Sequence, residues 1–278
     1  MSDALPALTL FIGPSSQHGL ALNATVRASR PMLEKVGVTA YPLRLAGPAI
    51  WAVGDRGRAV EDRQSDFDRI LGEAPAFYCA LGLLSVAKDF GSGQLFPSVD
   101  QGLQALTEVA GKADLRFVVA IDTLPDLFLS QNSAVLDARV ANSDWAVLYE
   151  LSWVQPIRAI RQSFPDAEIA VLTHAGAVLN SDTMLRHLFG SFSHLVGPRI
   201  MLQSALNTTG QAVLDRMGND VAWDEEIARE LYQSFASRAG ADECRTRLGM
   251  DRLTLKLLLQ RFDEDLTAIA AMADVTVI

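Results

Sequence analysis

The chain has 278 residues, of which 49% are hydrophobic and 21% are charged, and its formal net charge is −9 at pH 7. This composition is typical of a globular protein with a core of its own, whereas the acidic balance argues against nucleic acid or an anionic membrane as a partner. The sequence contains no apolar stretch of membrane-helix length, and its start lacks the basic region of a signal peptide, so we expect a cytoplasmic protein.

Short apolar runs of strand length alternate with helical patterns in the first two thirds of the chain. The runs cover residues 8–12, 38–43, 76–84, 116–121 and 168–172. Most are unbroken rather than alternating, which is typical of strands buried on both faces of a parallel sheet. The sequence therefore predicts an α/β fold with a parallel five-stranded sheet flanked by helices.

Helical periodicity marks the remaining elements. We predict helices over residues 20–36, ending at Gly37, over 99–110, and from Pro156 to the turn at Pro165. After residue 172 the pattern is helical, with segments 184–189, 223–237 and 251–272, while 201–218 is expected to be partly loop with a turn at 207–210. We expect one domain over 1–278, with the sheet core in about 1–175 and a helical C-terminal part in about 176–278.

Two further features have simple interpretations. The charged stretch 55–69 alternates in sign and is interpreted as a solvated loop and helix face. The two cysteines have no disulfide or metal-binding pattern, and Cys79 is expected to be a small buried hydrophobe.

The first strand is followed by a glycine turn and then by a helix. Such a turn directs backbone N–H groups and the positive end of the helix dipole at one point, so it favours anions. It predicts a cofactor-binding loop, although the lysine of an active phosphate-binding loop is absent. The residues of this candidate site are Gly13, Ser15, Ser16, Gln17 and Gly19.

Polar residues also follow the other strands. Ligands of open parallel sheets bind beyond the carboxyl ends of the strands, which places these segments on one edge. They are 85–89 after the third strand, 122–130 after the fourth and 173–174 after the fifth. We consider His18, Asp89 and His174 as candidate catalytic residues, because imidazole and carboxylate groups act as general bases.

Segments along nearly the whole chain resemble the bacterial P-loop sulfotransferase-like family. They are Ile12-Gly13-Pro14, Leu22-Asn23, Gly37-Val38, Tyr41-Pro42, Leu84-Ser85, Leu95-Phe96-Pro97, Phe164-Pro165-Asp166-Ala167-Glu168-Ile169, Phe262-Asp263-Glu264-Asp265-Leu266, Ile269-Ala270 and Val275-Thr276-Val277-Ile278. The resemblance implies an α/β fold of the P-loop NTPase and sulfotransferase-like class. It also implies sulfuryl transfer from 3′-phosphoadenosine-5′-phosphosulfate to a hydroxyl or amine, without a metal. It also implies a lysine that holds the 5′-phosphosulfate, and an arginine and a serine eight residues later that hold the 3′-phosphate.

Both of these phosphate grips are degenerate in this chain. Ser16 stands at the lysine position and Asp122 at the arginine position, while Ser130 keeps the serine spacing and is a candidate cofactor-binding residue. An anion in place of a cation replaces attraction by repulsion, so the family's donor nucleotide is not expected to bind in the usual pose. His18 remains a possible substitute for the lysine.

Three functional hypotheses follow. The first is a sulfotransferase-fold protein that has lost sulfuryl transfer and acts as a binding or regulatory protein for a small molecule, a carbohydrate or a protein. The second is an active sulfotransferase with an altered donor site, in which case the phosphosulfate nucleotide is its cofactor. The third is a glycosyltransferase-like enzyme, disfavoured because no Asp-x-Asp pair follows a strand to hold a metal.

Overall fold

A six-stranded parallel sheet forms the centre of the molecule. In a computed structural model, the described residues are 8–14, 17–73, 75–79, 93–97, 99–130, 148–180, 183–184, 188–189, 198–218, 225–237 and 241–278. The strands are β1 (Leu8–Ile12), β2 (Thr39–Tyr41), β3 (Ala76–Cys79), β4 (Leu115–Ile121), β5 (Glu168–Thr173) and β6 (Val275–Val277). Their order across the sheet is β2-β3-β1-β4-β5-β6. The α/β class and the parallel sheet are thus confirmed.

The sheet has one strand more than the sequence predicted. β6 lies in the part that was expected to be helical, and it extends the sheet through parallel pairing with β5. It is only three residues long, so it has no periodicity of its own, and its strand conformation depends on that pairing. The prediction for the second strand was also too long, because Leu43 begins a helix whose N-cap is Pro42.

Helices flank both faces of the sheet. Those before β5 are α1 (Gln17–Lys35), α2 (Leu43–Gly54), α3 (Val60–Leu71), α4 (Val99–Ala110), α5 (Leu124–Ser130) and α6 (Val154–Ser163). Those after β5 are α7 (His174–Leu179), α8 (Pro198–Ala205), α9 (Thr208–Arg216), α10 (Glu225–Phe235), α11 (Ala241–Leu248) and α12 (Arg252–Ala270). None of the described helices is both long enough and apolar enough to cross a membrane.

Two helices occupy the segment that was expected to be partly loop. α8 and α9 cover most of 201–218, and the expected turn at 207–210 is the start of α9. The Asn207 side chain accepts a hydrogen bond from the Gly210 N–H at 3.0 Å, which caps the helix. Asparagine and glycine favour both turns and helix N-termini, so the pattern alone did not separate the two.

The two faces of the sheet are buried in separate hydrophobic clusters. Alternate residues of β4 illustrate this: Phe117 and Val119 join the cluster under α2, α4 and α6, whereas Val118 and Ala120 join the cluster under α1. A third cluster lies among α7, α8, α9 and α10. Burial on both faces explains why the strands are unbroken apolar runs.

One charged residue of the segment 55–69 is buried, which the interpretation of this segment as a solvated loop and helix face did not anticipate. Arg63 of α3 is 2% exposed, donates to the Ala105 carbonyl oxygen at 3.0 Å and pairs with Glu108 of α4. The hydrogen bond from Arg63 to Glu108 lowers the pKa of the Glu108 carboxyl group. A buried guanidinium needs such partners, so Arg63 ties α3 to α4.

Candidate functional site

The strand order brings two of the predicted segments together. β1 pairs with β3 on one side and with β4 on the other. The connection after β1 leads to β2 and the connection after β4 leads to β5, so these two connections run in opposite directions across the sheet. Ligands of open α/β sheets bind at such a switch point, beyond the carboxyl ends of the strands. The loop after β1 and the segment that starts at Asp122 therefore lie at neighbouring strand ends.

A cavity of about 430 Å³ lies at the carboxyl ends of β4 and β5, and we call it the site cavity. Its walls come from the segments after these strands and from α10 and α12. The lining residues are Asp122, Thr123, Asp126, Thr173, His174, Ala175, Tyr232, Leu259, Phe262, Asp263 and Leu266. The volume falls within the range of small-molecule sites, and the mixture of apolar and polar side chains is also typical of them.

Asp122 is the most informative residue of the site cavity. It is the first residue after β4 and is only 5% exposed. Its backbone carbonyl oxygen accepts a hydrogen bond from the Trp153 indole N–H at 2.8 Å. Trp153 is itself buried, as expected for a packing residue.

A buried carboxylate of α12 holds this arrangement in place. Asp265 accepts hydrogen bonds from the Trp153 backbone N–H and from the Ser152 hydroxyl, both at 2.7 Å. Asp265 thus links α12 to Trp153, and Trp153 links to the end of β4. The position of Asp122 is consequently fixed by residues outside the site cavity.

Two threonine hydroxyl groups in the cavity lining are already used by the fold. Thr123 donates to the Asp126 carboxylate at 2.6 Å and accepts from the Asp126 N–H at 3.2 Å, a reciprocal cap at the start of α5. Thr173 donates to the Ile278 carbonyl oxygen at 3.2 Å and accepts from the Gly176 N–H at 2.9 Å, which caps α7. Both hydroxyl hydrogens are therefore directed at protein acceptors.

His174 is a half-buried residue of the site cavity and the first residue of α7. Its ring meets the ring of Tyr232 edge to face, with 6.0 Å between the ring centroids. Tyr232 comes from α10 and is 2% exposed. The structure thus brings His174 together with Asp122, as the positions of both after neighbouring strands predicted.

Gly13 has a conformational and steric role in the loop after β1. Its φ is +138°, and a Cβ atom there would lie 2.8 Å from the Ala120 carbonyl oxygen of β4. Only glycine permits this close approach at low cost. The packing of the turn on β4 accounts for this glycine without any ligand.

The other predicted site residues are described less completely. Gln17 and His18 open α1, but their side chains lie outside the described residues, as does the Ser130 side chain at the end of α5. Ser15, Ser16 and Asp89 lie wholly outside the described residues. Gly19 is buried within α1. Their assignments to catalysis or to cofactor binding stay predictions.

Sequence reasoning did not identify the contributions of α10 and α12 to the site. Tyr232, Phe262 and Asp263 sit on amphipathic helices far along the chain from β4, and no local pattern shows which sheet edge those helices cover. Asp263 and Asp265 did appear in the segments of the family resemblance. Their spacing of two residues gave no indication that Asp263 lines a cavity while Asp265 anchors the helix.

Comparison with protein-family models, with curated proteins and with solved structures finds no match for this chain. Within the described part of the chain, no group of three or more His, Cys, Asp or Glu residues is arranged to hold a metal ion.

Proposed function

We propose that this chain is a binding protein of sulfotransferase-like ancestry that has lost sulfuryl transfer, and that it holds a small molecule in the site cavity. The observation that carries the proposal is the position of Asp122. This residue stands where the resemblance implies an arginine for the 3′-phosphate, and it is almost fully buried in the cavity wall. The cavity wall thus carries an acidic side chain where the transferase needs a cation.

Electrostatics make the donor nucleotide a poor ligand here. Two unit charges 4 Å apart interact by about 4 kcal/mol at an effective dielectric near 20, before solvent screening. Asp126 and Asp263 add negative charge to the same cavity wall, and its described lining contains no lysine or arginine. These acidic side chains and the lack of a basic one in the described lining disfavour a phosphate group.

The loop after β1 supports the loss of transfer as well. Its glycine is explained by packing against Ala120, so its retention needs no phosphate-binding role. The position of the phosphosulfate lysine is occupied by Ser16, which cannot supply a positive charge. The loop therefore has the glycine that the fold requires, but it lacks the lysine that sulfuryl transfer requires.

The test is thermal unfolding with and without millimolar 3′-phosphoadenosine-5′-phosphate at matched ionic strength. A site with a micromolar Kd would stabilise the protein by about 4 kcal/mol when the free ligand concentration is a thousand times Kd. Such a stabilisation is readily measured as a rise in Tm. We expect no saturable change in Tm. A saturable rise would overturn the proposal.

A further inference from the structure

We infer that this chain associates with a second copy of itself through the exposed side of α12, with the two helices antiparallel about a twofold axis. We call this side the α12 surface. Its residues are all exposed, and they are Arg252, Leu253, Lys256, Leu257, Leu259, Gln260 and Asp263. The inference goes beyond the proposed function and does not depend on it.

The α12 surface exposes several large apolar side chains close together. Leu253 is 65% exposed, and Leu257 and Leu259 are each 38% exposed. Among the described residues, no other helix exposes more than one large hydrophobic side chain to this degree. Single exposed hydrophobic residues are normal on a protein surface, whereas a contiguous group is typical of a contact surface.

These residues form adjoining rows along one side of the helix, because residues four apart lie one above the other. The row Arg252-Lys256-Gln260 lies in the middle, with Leu259-Asp263 on one side and Leu253-Leu257 on the other. The opposite side of α12 packs on the rest of the molecule through its buried residues, which are Thr254, Leu258, Asp265 and Ile269. The α12 surface is therefore the side that faces away from the core.

Charge on the α12 surface is separated into a basic end and an acidic end. Arg252 and Lys256 lie in the first two turns, and Asp263 lies about 16 Å further along the axis than Arg252. The helix dipole favours the reverse order, yet α12 has no acidic residue in its first turn and no basic residue in its last. Within the part of the chain that the structure describes, no ion pair includes any of these three side chains. The fold of one copy thus gives no reason for this order of charges.

A second copy in antiparallel orientation complements the α12 surface. A twofold axis at the middle of the stretch 252–263 places Arg252 of each copy opposite Asp263 of the other, so the same ion pair forms twice. The same register places each Lys256 opposite Leu259, which the aliphatic part of the lysine side chain can cover. An acidic helix of an unrelated protein would match the basic end but would be repelled by Asp263.

The net charge of −9 on each copy opposes this association only weakly. Charges separated by more than about 8 Å are largely screened at physiological ionic strength, so the contacts within the interface decide. Leu259 and Asp263 also line the site cavity, and the second copy would therefore lie along its rim.

The experiment is sedimentation velocity from low micromolar to submillimolar protein at physiological ionic strength. A single pair of helices is a small interface, so we expect a reversible dimer with a micromolar Kd. Arg252→Glu and Asp263→Arg should each weaken the dimer by about tenfold or more, because each replaces two attractive contacts by two repulsive ones. A general effect of net charge predicts the opposite for Asp263→Arg, which makes the chain less acidic.

Lys112→Glu is the matched control for Arg252→Glu. Lys112 is exposed in the turn between α4 and β4, and its reversal changes the net charge by the same amount. We expect it to leave the Kd of the dimer unchanged. Thermal unfolding of each variant checks that the fold is retained, and an acidic residue in the first turn of α12 suits the helix dipole.

Combining the two reversals should restore the dimer. In an equimolar mixture of Arg252→Glu and Asp263→Arg, each contact of the heterodimer again joins opposite charges. The same holds for a homodimer of the doubly reversed chain. We expect both to associate within about threefold of the wild type, which a parallel arrangement of the helices would not give.

A wild-type chain that stays monomeric over the whole concentration range overturns the inference. A dimer that neither reversal weakens, or that the combined reversals do not restore, also overturns it, because the contact would then lie elsewhere. The nucleotide test of the proposed function measures ligand binding rather than association, so the failure of one proposal is distinct from the failure of the other.

Discussion

At the residue scale, Gly13 is a predicted site residue, Asp122 stands at the position of the family's arginine, and the two have different roles. Gly13 is required by a close approach of the backbone to β4, whereas Asp122 contributes to the wall of a cavity. The identity of each could be read from the sequence, because both follow strands directly. Their roles could not, since Gly13 approaches Ala120 of β4 and the backbone of Asp122 is bonded by Trp153, and both partners lie far from them in the sequence.

Gly13→Ala is expected to destabilise the protein by about 1–3 kcal/mol, because its φ is unfavourable for alanine and its Cβ would contact β4. Gly37→Ala is the matched control. Gly37 also has positive φ, at 79°, but a Cβ there would meet no atom within 4 Å. Chemical denaturation should show the larger loss for Gly13→Ala. Equal losses would mean that the contact with Ala120 does not matter.

Both cysteines should resist thiol reagents in the native protein. Cys79 and Cys244 are fully buried, and burial raises the pKa of Cys244 to about 11, so its thiolate is scarce at pH 8. With a chromogenic disulfide reagent, we expect no rapid reaction until guanidinium unfolds the chain, and then the release of both thiols. Rapid modification without denaturant would contradict this burial.

At the element scale, the described helices and strands with a strong local signal were predicted well. The bounds of β1 and α4 match the sequence prediction, because an unbroken apolar run and a helical stripe lie within each segment. β6 and the separation of α8 from α9 were missed. Three residues carry no periodicity, and a cap at Asn207 resembles a turn.

The start of α12 depends on one capping side chain. Asp251 accepts a hydrogen bond from the Thr254 N–H at 2.7 Å, and this bond lowers the pKa of the Asp251 carboxyl group. Asp251→Ala should lower Tm at pH 7, whereas Asp251→Asn should nearly preserve it, because asparagine caps as well as aspartate does.

The pH dependence of this cap follows from the lowered pKa. The ionised cap stabilises the folded state fully above the ordinary carboxyl pKa near 4, and this contribution is lost as the pH falls through the lowered value. The difference in Tm between the wild type and Asp251→Ala should therefore shrink below about pH 4. A difference that stays constant down to pH 2 would show that the ionised carboxylate is not responsible.

At the scale of the whole molecule, the α/β class and the carboxyl edge as the place for a site could be predicted. Parallel strands buried on both faces have a clear sequence pattern, and their carboxyl ends must share one edge. The site cavity itself could not be predicted. It exists because α10 and α12 pack against that edge and bring Tyr232 and Asp263 beside Asp122, which depends on tertiary packing rather than on local sequence.

The most direct test of the account is a crystal structure of the protein grown with millimolar 3′-phosphoadenosine-5′-phosphate. Its 3′-phosphate would report on the segment after β4, and its 5′-phosphate would report on the N-terminus of α1. We predict no ordered nucleotide at either place. A nucleotide with its 5′-phosphate on the backbone after Gly13 and its 3′-phosphate beside Asp122 would contradict the account.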